Sequence, residues 1–188
     1  SIGGTDSCYV ARAQKHSLEC ISRCVSKNLE NGTALMKTTT TDLYRELSDQ
    51  VSVSSITRWL KEMIAIPSEN PMESDPRPGH REQEIGEYYL EQMHELGMTV
   101  ASREAAPGRP NVFGTRAGNQ DRPSLMLCGH LDTVPTEGYD DPYTPHEKNG
   151  RIYGRGSCDM KAALACYLEV ARLLRDADVS LSGSLILC

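Results

Sequence analysis

The sequence predicts an α/β fold, and three features of the chain support this class. Segments with the apolar spacing of helices alternate with short apolar runs that are typical of strands. The strongest apolar run, residues 124–128, leads into a polar segment, as buried strands do at the ligand-binding edge of an α/β sheet. The chain shows no internal repeat. Strands that alternate with helices indicate a layered domain with one shared core.

Three segments have helical periodicity. The first is capped by Ser54 or Ser55 and ended by Pro67. The second covers residues 80–96, and Gly97 after it is a typical helix stop. The third covers residues 161–175. We expect the apolar side chains of these helices to form the core: Ile56, Leu60, Met63, Ile64, Ile85, Tyr89, Met93, Leu96, Leu164, Tyr167, Leu168, Ala171 and Leu174.

The predicted strands are short and lie between the helices. They cover residues 98–102, 111–115, 124–128 and 185–188, with a turn at 107–110. Asn149 and Gly150 form the strongest hairpin signal, because both residues tolerate the positive φ of a tight turn. We therefore expect residues 146–148 and 151–153 to pair.

Composition excludes several classes of partner. The chain has 188 residues and a net charge of −6, and a negative surface disfavours nucleic acid. No apolar run reaches the ~20 residues that a membrane span needs, so we expect no membrane contact. Residues 1–10 lack the features of a secretory signal, which favours the cytoplasm. Seven cysteines, an odd and scattered number, are expected to be reduced thiols.

The two ends of the chain differ in character. Residues 1–35 have neither helical nor strand periodicity, so we expect a disordered or non-native extension. The first segment of a folded domain then covers residues 36–188. At the other end an apolar strand, residues 185–188, closes the sequence, although chain termini usually lie at the surface. We therefore expect the chain to be a fragment of a longer protein.

Two polar residues follow the buried strand at 124–128. His130 and Asp132 are two positions apart, which places both side chains on one side if the strand continues. A carboxylate beside a metal-binding imidazole accepts its second N–H and makes the ligating nitrogen more basic. The alternative interpretation is an ordinary polar pair at a strand end, which carries no chemistry.

A second polar residue, Asp159, precedes the last helix. Gly154 and Gly156 come shortly before it and permit a tight bend of the backbone. A carboxylate at this position can bind cations. Asp is also a preferred helix cap, so a purely structural role is the alternative.

These segments together resemble a family of zinc-dependent hydrolases, which includes aminoacylase, acetylornithine deacetylase and succinyl-diaminopimelate desuccinylase. The most specific matches are the segments GHLDTVP at residues 129–135 and GRGSCDMK at residues 154–161. The segments IPS at 66–68 and RPNV at 109–112 add to the resemblance. It implies a three-layer metallopeptidase-like catalytic domain, with a mixed sheet between helices, that is incomplete here and lacks the lid domain.

The resemblance also implies roles for individual residues. His130 would ligate one zinc ion, Asp159 would bridge two, and Asp132 would hold the His130 ring and count as catalytic. The general-base glutamate and the other zinc ligands would lie beyond Cys188. Two Zn²⁺ ions are thus the expected cofactors, with Co²⁺ as a substitute. The resemblance makes Cys158 a small residue packed under the site, although a thiol beside a zinc ligand is also able to bind metal.

The implied activity is hydrolysis of the amide bond of an N-acylated amino acid, as in acetylornithine deacetylase. A carboxypeptidase or dipeptidase acting on short peptides is the alternative, and a non-catalytic truncated homologue is a third interpretation. The partners expected are a small-molecule substrate and a second copy bound through the missing lid domain. The segment itself is expected to be inactive.

Overall fold

The computed structural model describes residues 40–70, 81–136 and 138–188. Within these residues four helices and six strands follow one another along the chain. The helices are α1 (Thr40–Asp49), α2 (Val53–Ile64), α3 (Glu82–Glu95) and α4 (Lys161–Asp176). The strands are β1 (Thr99–Ala106), β2 (Arg109–Arg116), β3 (Leu125–Leu127), β4 (His146–Lys148), β5 (Arg151–Tyr153) and β6 (Leu185–Leu187).

The main sheet is mixed and has the strand order β1-β2-β6-β3. The β1–β2 and β2–β6 pairs are antiparallel, whereas β6 and β3 run parallel, with Met126 opposite Ile186. Strands β4 and β5 form a separate hairpin. Its turn residues Asn149 and Gly150 have φ of 53° and 71°, as the sequence predicted.

One face of the sheet is buried against the helices. Val112, Leu185 and Leu187 point to this face and are at most 4% exposed. Helix α3 packs against β1 and β2, and α4 packs against α2 and α3. The other face carries Met126, which is half exposed. Burial of aliphatic side chains on one face supplies the main driving force for this arrangement. The observed architecture confirms the predicted α/β class, with a mixed sheet flanked by helices.

The predicted helices are present with small differences at their ends. Of the side chains predicted to form the core, all but Tyr167 are buried, and Tyr167 packs against the core from its edge. The cap of α2 is Ser52, whose hydroxyl accepts from the Ser55 N–H, not Ser54 or Ser55 as predicted. The three serines lie so close together that the sequence does not distinguish them.

The β1–β2 hairpin is longer than the sequence indicated. The turn predicted at 107–110 is limited to Pro107 and Gly108, because Arg109 already pairs with Ala106. Gly108 has φ of 73° and permits this tight reversal. The buried strand predicted at 124–128 is shorter, and its Met126 is exposed. The predicted extension at 1–35 lies outside the described residues.

The described segments include no helix whose length and apolar character would allow it to cross a membrane.

A buried carboxylate joins α4 to the start of α2. Glu169 is 2% exposed and accepts a 2.6 Å hydrogen bond from the backbone N–H of Ser52. The guanidinium of Arg172 donates to both carboxylate oxygens of Glu169, at 2.8 and 2.7 Å, and also reaches Gln50 O. Because both charges are paired and hydrogen-bonded, the cluster fixes the position of α2 relative to α4.

We predict that Glu169→Ala lowers the free energy of unfolding by about 3 kcal/mol, because it leaves Arg172 and the Ser52 N–H without their buried acceptor. Asp176→Ala is the control, since Asp176 also pairs with Arg172 but at the surface. Its removal should cost less than about 1 kcal/mol. Urea denaturation measures both values, and equal losses would contradict the role given to Glu169.

Candidate active site

The carboxyl end of β3 leads directly to His130. After Leu127 the chain continues through Cys128 and Gly129, and the Gly129 N–H donates to Cys188 O. A Cβ on Gly129 would lie 2.8 Å from both Leu164 Cδ2 and Met160 Cε. Any larger residue here would require the side chains of Leu164 and Met160 to move away from the strand end. The sequence therefore brings the segment of His130 close to the segment of Asp159.

The side chains of His130 and Asp159 converge. His130 Nε2 lies 3.0 Å from Asp159 Oδ1, and the two side chains are 46% and 82% exposed. Zinc binds imidazole nitrogen and carboxylate oxygen at ~2.0–2.2 Å, so two donors of one tetrahedral ion lie ~3.3 Å apart. The observed pair fits two ligands of the same cation. Asp159 lies before Met160, the cap of α4, so it is not the helix cap itself.

Asp132 faces the other nitrogen of the same ring. Its Oδ1 lies 3.2 Å from His130 Nδ1, and its backbone oxygen lies 3.0 Å from the same atom. This is the contact that the sequence predicted, but strand alternation is not its cause, because both residues lie beyond the end of β3. With Nδ1 donating to Asp132, Nε2 is the ring nitrogen that remains for a metal once it loses the proton that binds Asp159.

The two carboxylates also act on the protonation of the imidazole. Partial burial by itself lowers the pKa of His130, but the hydrogen bonds to Asp132 and Asp159 and their negative charges outweigh it. The pKa of His130 is therefore raised above its usual value. A cation at Nε2 competes with this proton, so cation binding strengthens as the pH rises through the raised pKa.

Asn70 is a site residue that the sequence analysis missed. Its side-chain N–H₂ donates a 2.6 Å hydrogen bond to Asp132 Oδ2, and Arg109 Nη2 lies 4.0 Å from the same oxygen. Asn70 therefore orients Asp132, which in turn orients His130. The segment IPS at 66–68 was noted only as part of the resemblance. Asn70, two positions further on, carried no signal of its own.

The chain segment that holds Asn70 lies beside residues 131–133. The Thr133 N–H donates to Ser68 O, and the Asn70 N–H donates to Thr133 O, both at 2.8 Å. The Ser68 hydroxyl donates to Leu131 O. These three bonds fix the loop after β3 to the segment that follows α2, so the side chains of Asn70 and Asp132 face each other.

Lys161 fixes the segment that carries Asp159. Although it is a lysine, it is fully buried, and its ammonium donates to Met63 O at 2.8 Å and Ile66 O at 3.0 Å. Burial lowers its pKa to about 7. A Cβ on Gly156, which has φ of 83°, would lie 2.8 Å from Lys161 Cδ. The glycine thus lets the loop pass directly over the lysine stem.

Cys158 does not pack under the site. It is exposed, contrary to the expectation from the resemblance. The bend between Gly154 and Met160 turns the side chain of Cys158 to the surface, while Gly154 and Gly156 take the buried positions. His94 and His146 are also exposed.

A cavity of about 590 Å³ adjoins His130 and Asp132. Its lining includes His130, Asp132, Arg109, Cys128 and Cys188. The volume is in the range of small-molecule sites, and the lining combines apolar surface with a few charged groups.

The donor set fits part of a metal centre. His130 Nε2 and Asp159 Oδ1 supply two ligands of the kinds that zinc prefers. Within residues 40–70, 81–136 and 138–188 no group of three or more His, Cys, Asp and Glu side chains is arranged to hold a metal ion. A catalytic zinc usually has three protein ligands, so the described residues form only part of such a site.

The comparison with protein families agrees with this geometry. Residues 126–188 match the profile of Peptidase family M20/M25/M40, a segment that includes His130, Asp132 and Asp159. The chain therefore belongs to the M20 superfamily of metallohydrolases.

Two curated relatives match more than half of this chain. The chain is 39% identical over 119 residues to N-formyl-4-amino-5-aminomethyl-2-methylpyrimidine deformylase of Bacillus subtilis, which is 60% of this chain and 28% of the relative. It is 31% identical over 137 residues to succinyl-diaminopimelate desuccinylase of Legionella pneumophila, which is 71% of this chain and 33% of the relative. The chain thus spans about a third of the length of the curated relatives that it matches.

Solved structures show the same fold. Human carnosine dipeptidase 1 superposes with a TM-score of 0.61 at 22% identity, over 77% of this chain and 33% of that chain. A tripeptidase from Staphylococcus aureus superposes with a TM-score of 0.57 at 26% identity, over 73% of this chain and 36% of that one.

We predict that Asp132→Ala lowers the zinc affinity of the full-length protein ~10–100-fold, the usual effect of removing the partner of a ligating imidazole. Asn70→Ala should lower it ~10-fold, because Asp132 then loses a hydrogen bond to its Oδ2. Asn119→Ala, at an exposed position, is the matched control. Competition with a chelating dye measures the affinities, and an Asn70→Ala variant that behaves like Asn119→Ala would refute the role of Asn70.

We predict that Lys161 makes stability rise with pH. Its pKa is about 7 in the folded chain and ~10.4 when unfolded, so between these values the unfolded chain binds more protons. The free energy of unfolding should therefore increase by about 2 kcal/mol between pH 7 and pH 9, relative to Lys161→Met. Urea denaturation of both proteins at the two pH values measures this difference. A constant difference would mean that Lys161 has an ordinary pKa.

Proposed function

We propose that the full-length protein is a two-zinc hydrolase of the amide bond of an N-acylated amino acid, similar to acetylornithine deacetylase. The observation that carries this proposal is the 3.0 Å approach of His130 Nε2 to Asp159 Oδ1, with His130 and Asp132 lining a 590 Å³ cavity. The exposed faces of both donors leave room for a cation and a substrate carbonyl. Membership in a family of metallohydrolases supports the same reaction class.

The names of the relatives favour removal of an acyl group. A deformylase and a desuccinylase match this chain at 39% and 31% identity. Both names describe the release of an acyl group. The acyl group in the name differs between the two relatives. We therefore propose only the reaction type for this chain, and the substrate assay below identifies the acyl group.

In this mechanism His130 and Asp159 would hold zinc, with Asp159 as a ligand of both ions, and Co²⁺ would be a substitute. Bound zinc supplies Lewis acidity, which activates water and stabilises negative charge on a carbonyl oxygen. Asp132 accepts a hydrogen bond from the Nδ1–H of His130, which leaves Nε2 as the ligating nitrogen. Asn70 holds Asp132 in place for this task. The base that accepts the proton of water is a glutamate that the resemblance places after Cys188.

Hydrolysis of short peptides is the second candidate. A cysteinylglycine-S-conjugate dipeptidase of Corynebacterium striatum is 26% identical over 123 residues, and the tripeptidase from Staphylococcus aureus has the same fold at 26% identity. The third candidate is a non-catalytic homologue that binds metal poorly or not at all. We further propose cytoplasmic location, dimerisation of the full-length protein through a lid domain, and no binding of nucleic acid or membranes.

The deciding experiment compares substrates on the full-length protein loaded with zinc. N-acetyl, N-formyl and N-succinyl amino acids are assayed beside unblocked dipeptides and tripeptides, and zinc content is measured by mass spectrometry. We expect the acylated amino acids to have the higher kcat/KM, and His130→Ala to lose both zinc and activity. His94→Ala, an exposed histidine on α3, is the control.

Three results would change this proposal. Preference for unblocked peptides would favour the peptidase. Absence of turnover on all substrates, together with weak or absent zinc binding, would favour the non-catalytic homologue. Full zinc content in His130→Ala would contradict the metal site itself.

We predict that the 188-residue chain alone does not catalyse this reaction. Its described residues supply two ligands, whereas a catalytic zinc usually has three and a base to accept the water proton. The chain is assayed with added Zn²⁺ or Co²⁺ on the same substrates. Turnover near the ~10 s⁻¹ of a typical enzyme would contradict this prediction and would show that further ligands exist within the chain.

A further inference from the structure

Three sulfur atoms meet at the carboxyl ends of β3 and β6. Cys188 Sγ lies 3.1 Å from Cys128 Sγ and 3.9 Å from Met126 Sδ. Both cysteines are free thiols. Nothing in the proposed hydrolytic mechanism uses these three side chains, so the cluster requires its own explanation.

The strand register brings the sulfurs together. Strands β3 and β6 pair in parallel, with Met126 opposite Ile186 and Leu127 opposite Leu187. The pairing continues beyond both strands, because the Cys188 N–H donates to Leu127 O and the Gly129 N–H donates to Cys188 O. Side chains alternate along a strand, so Met126 and Cys128 lie on the same face. Cys188 lies beside them, and the backbone holds all three positions.

The cluster is accessible from solvent. Met126 is 50% exposed, Cys128 is exposed and Cys188 is partly buried. Cys128 and Cys188 also line the 590 Å³ cavity. A metal–sulfur bond of ~2.3 Å places ligand sulfurs ~3.8–4.0 Å apart in a trigonal site. The 3.9 Å pair already has this spacing, and a small side-chain rotation brings the 3.1 Å pair to it.

The chemistry of the cluster selects a soft cation. Two thiols and a thioether are the ligands that favour Cu(I), whereas zinc prefers thiolate, imidazole and carboxylate. Among the described residues, no carboxylate or imidazole is placed to form a metal site together with the two cysteines. The thioether of Met126 therefore supplies the third ligand, which makes the set softer than that of His130 and Asp159.

We propose that Cys128, Cys188 and Met126 form a binding site for one thiophilic monovalent cation, represented by Cu(I). Binding replaces the two S–H protons by the metal: one Cu⁺ and two thiols give a copper dithiolate, with Met126 as neutral third ligand, and two protons are released. No change in oxidation state occurs. The cation would join β3 to β6 directly before Gly129. This proposal does not rest on the proposed hydrolase function.

The test is an anaerobic titration of the full-length protein with Cu(I) in competition with bicinchoninate. Cys8, Cys20 and Cys24 are first replaced by serine, so that only the described thiols remain among residues 1–188. We expect one tightly bound Cu(I). Cys128→Ser and Cys188→Ser should each weaken binding more than ~100-fold, and Met126→Leu ~10-fold, since direct ligands matter at least as much as their neighbours.

Two variants are the controls. Cys158→Ser removes an exposed thiol outside the cluster, and Cys166→Ser removes a buried one. Both should bind Cu(I) as the parent does. Slow labelling of Cys166 by a thiol reagent verifies that every protein other than Cys166→Ser is folded, since burial also raises the pKa of this thiol to about 12. Urea denaturation verifies the folding of Cys166→Ser.

X-ray absorption at the copper edge identifies the ligand atoms directly, without relying on changes in affinity. We expect a shell of three sulfurs in the parent chain and two in Met126→Leu. A shell that contains nitrogen or oxygen, equal affinity after loss of either clustered cysteine, or a Cys128–Cys188 disulfide instead of bound copper would overturn the proposal.

Discussion

The buried ammonium of Lys161 is the interaction on which the site depends. It binds the carbonyl oxygens of Met63 and Ile66, where α2 ends, and it does so from the first residue of α4. One side chain thereby fixes the loop that carries Asp159 and the segment that leads to Asn70. A lysine at this place is destabilised by burial, which lowers its pKa, but two carbonyl acceptors offset part of that penalty.

From this interaction a chain of contacts leads to His130. Residues 68–70 bind residues 131–133 through their backbones, so Asn70 reaches Asp132 and Asp132 reaches the imidazole. Gly129 lets the same loop approach Met160 and Leu164 from the other side. The positions of His130 Nε2 and Asp159 Oδ1, the proposed metal ligands, thus follow from close packing between β3, the end of α2 and the start of α4. A static scaffold of this kind suits the proposed reaction, which requires fixed ligands.

The sequence predicted those features that depend on local pattern. The core faces of α2, α3 and α4, the Asn149–Gly150 hairpin and the pairing of His130 with Asp159 followed from periodicity, turn chemistry and resemblance. It did not predict Asn70, because an asparagine in a loop is equally typical of a turn. Burial of Lys161 was also unpredictable, since lysine is almost always exposed and its carbonyl partners lie more than 90 residues away. Exposure of Cys158 depended on the bend between Gly154 and Met160, which no periodicity describes.

The central claim is that His130 and Asp159 hold the same cation. Anomalous diffraction at the zinc edge, from crystals of the full-length protein grown with zinc, measures this directly. The account predicts an anomalous peak within ~2.0–2.2 Å of both His130 Nε2 and an Asp159 carboxylate oxygen. Zinc bound elsewhere, or His130 and Asp159 directed to different ions or to opposite sides of the sheet, would contradict it.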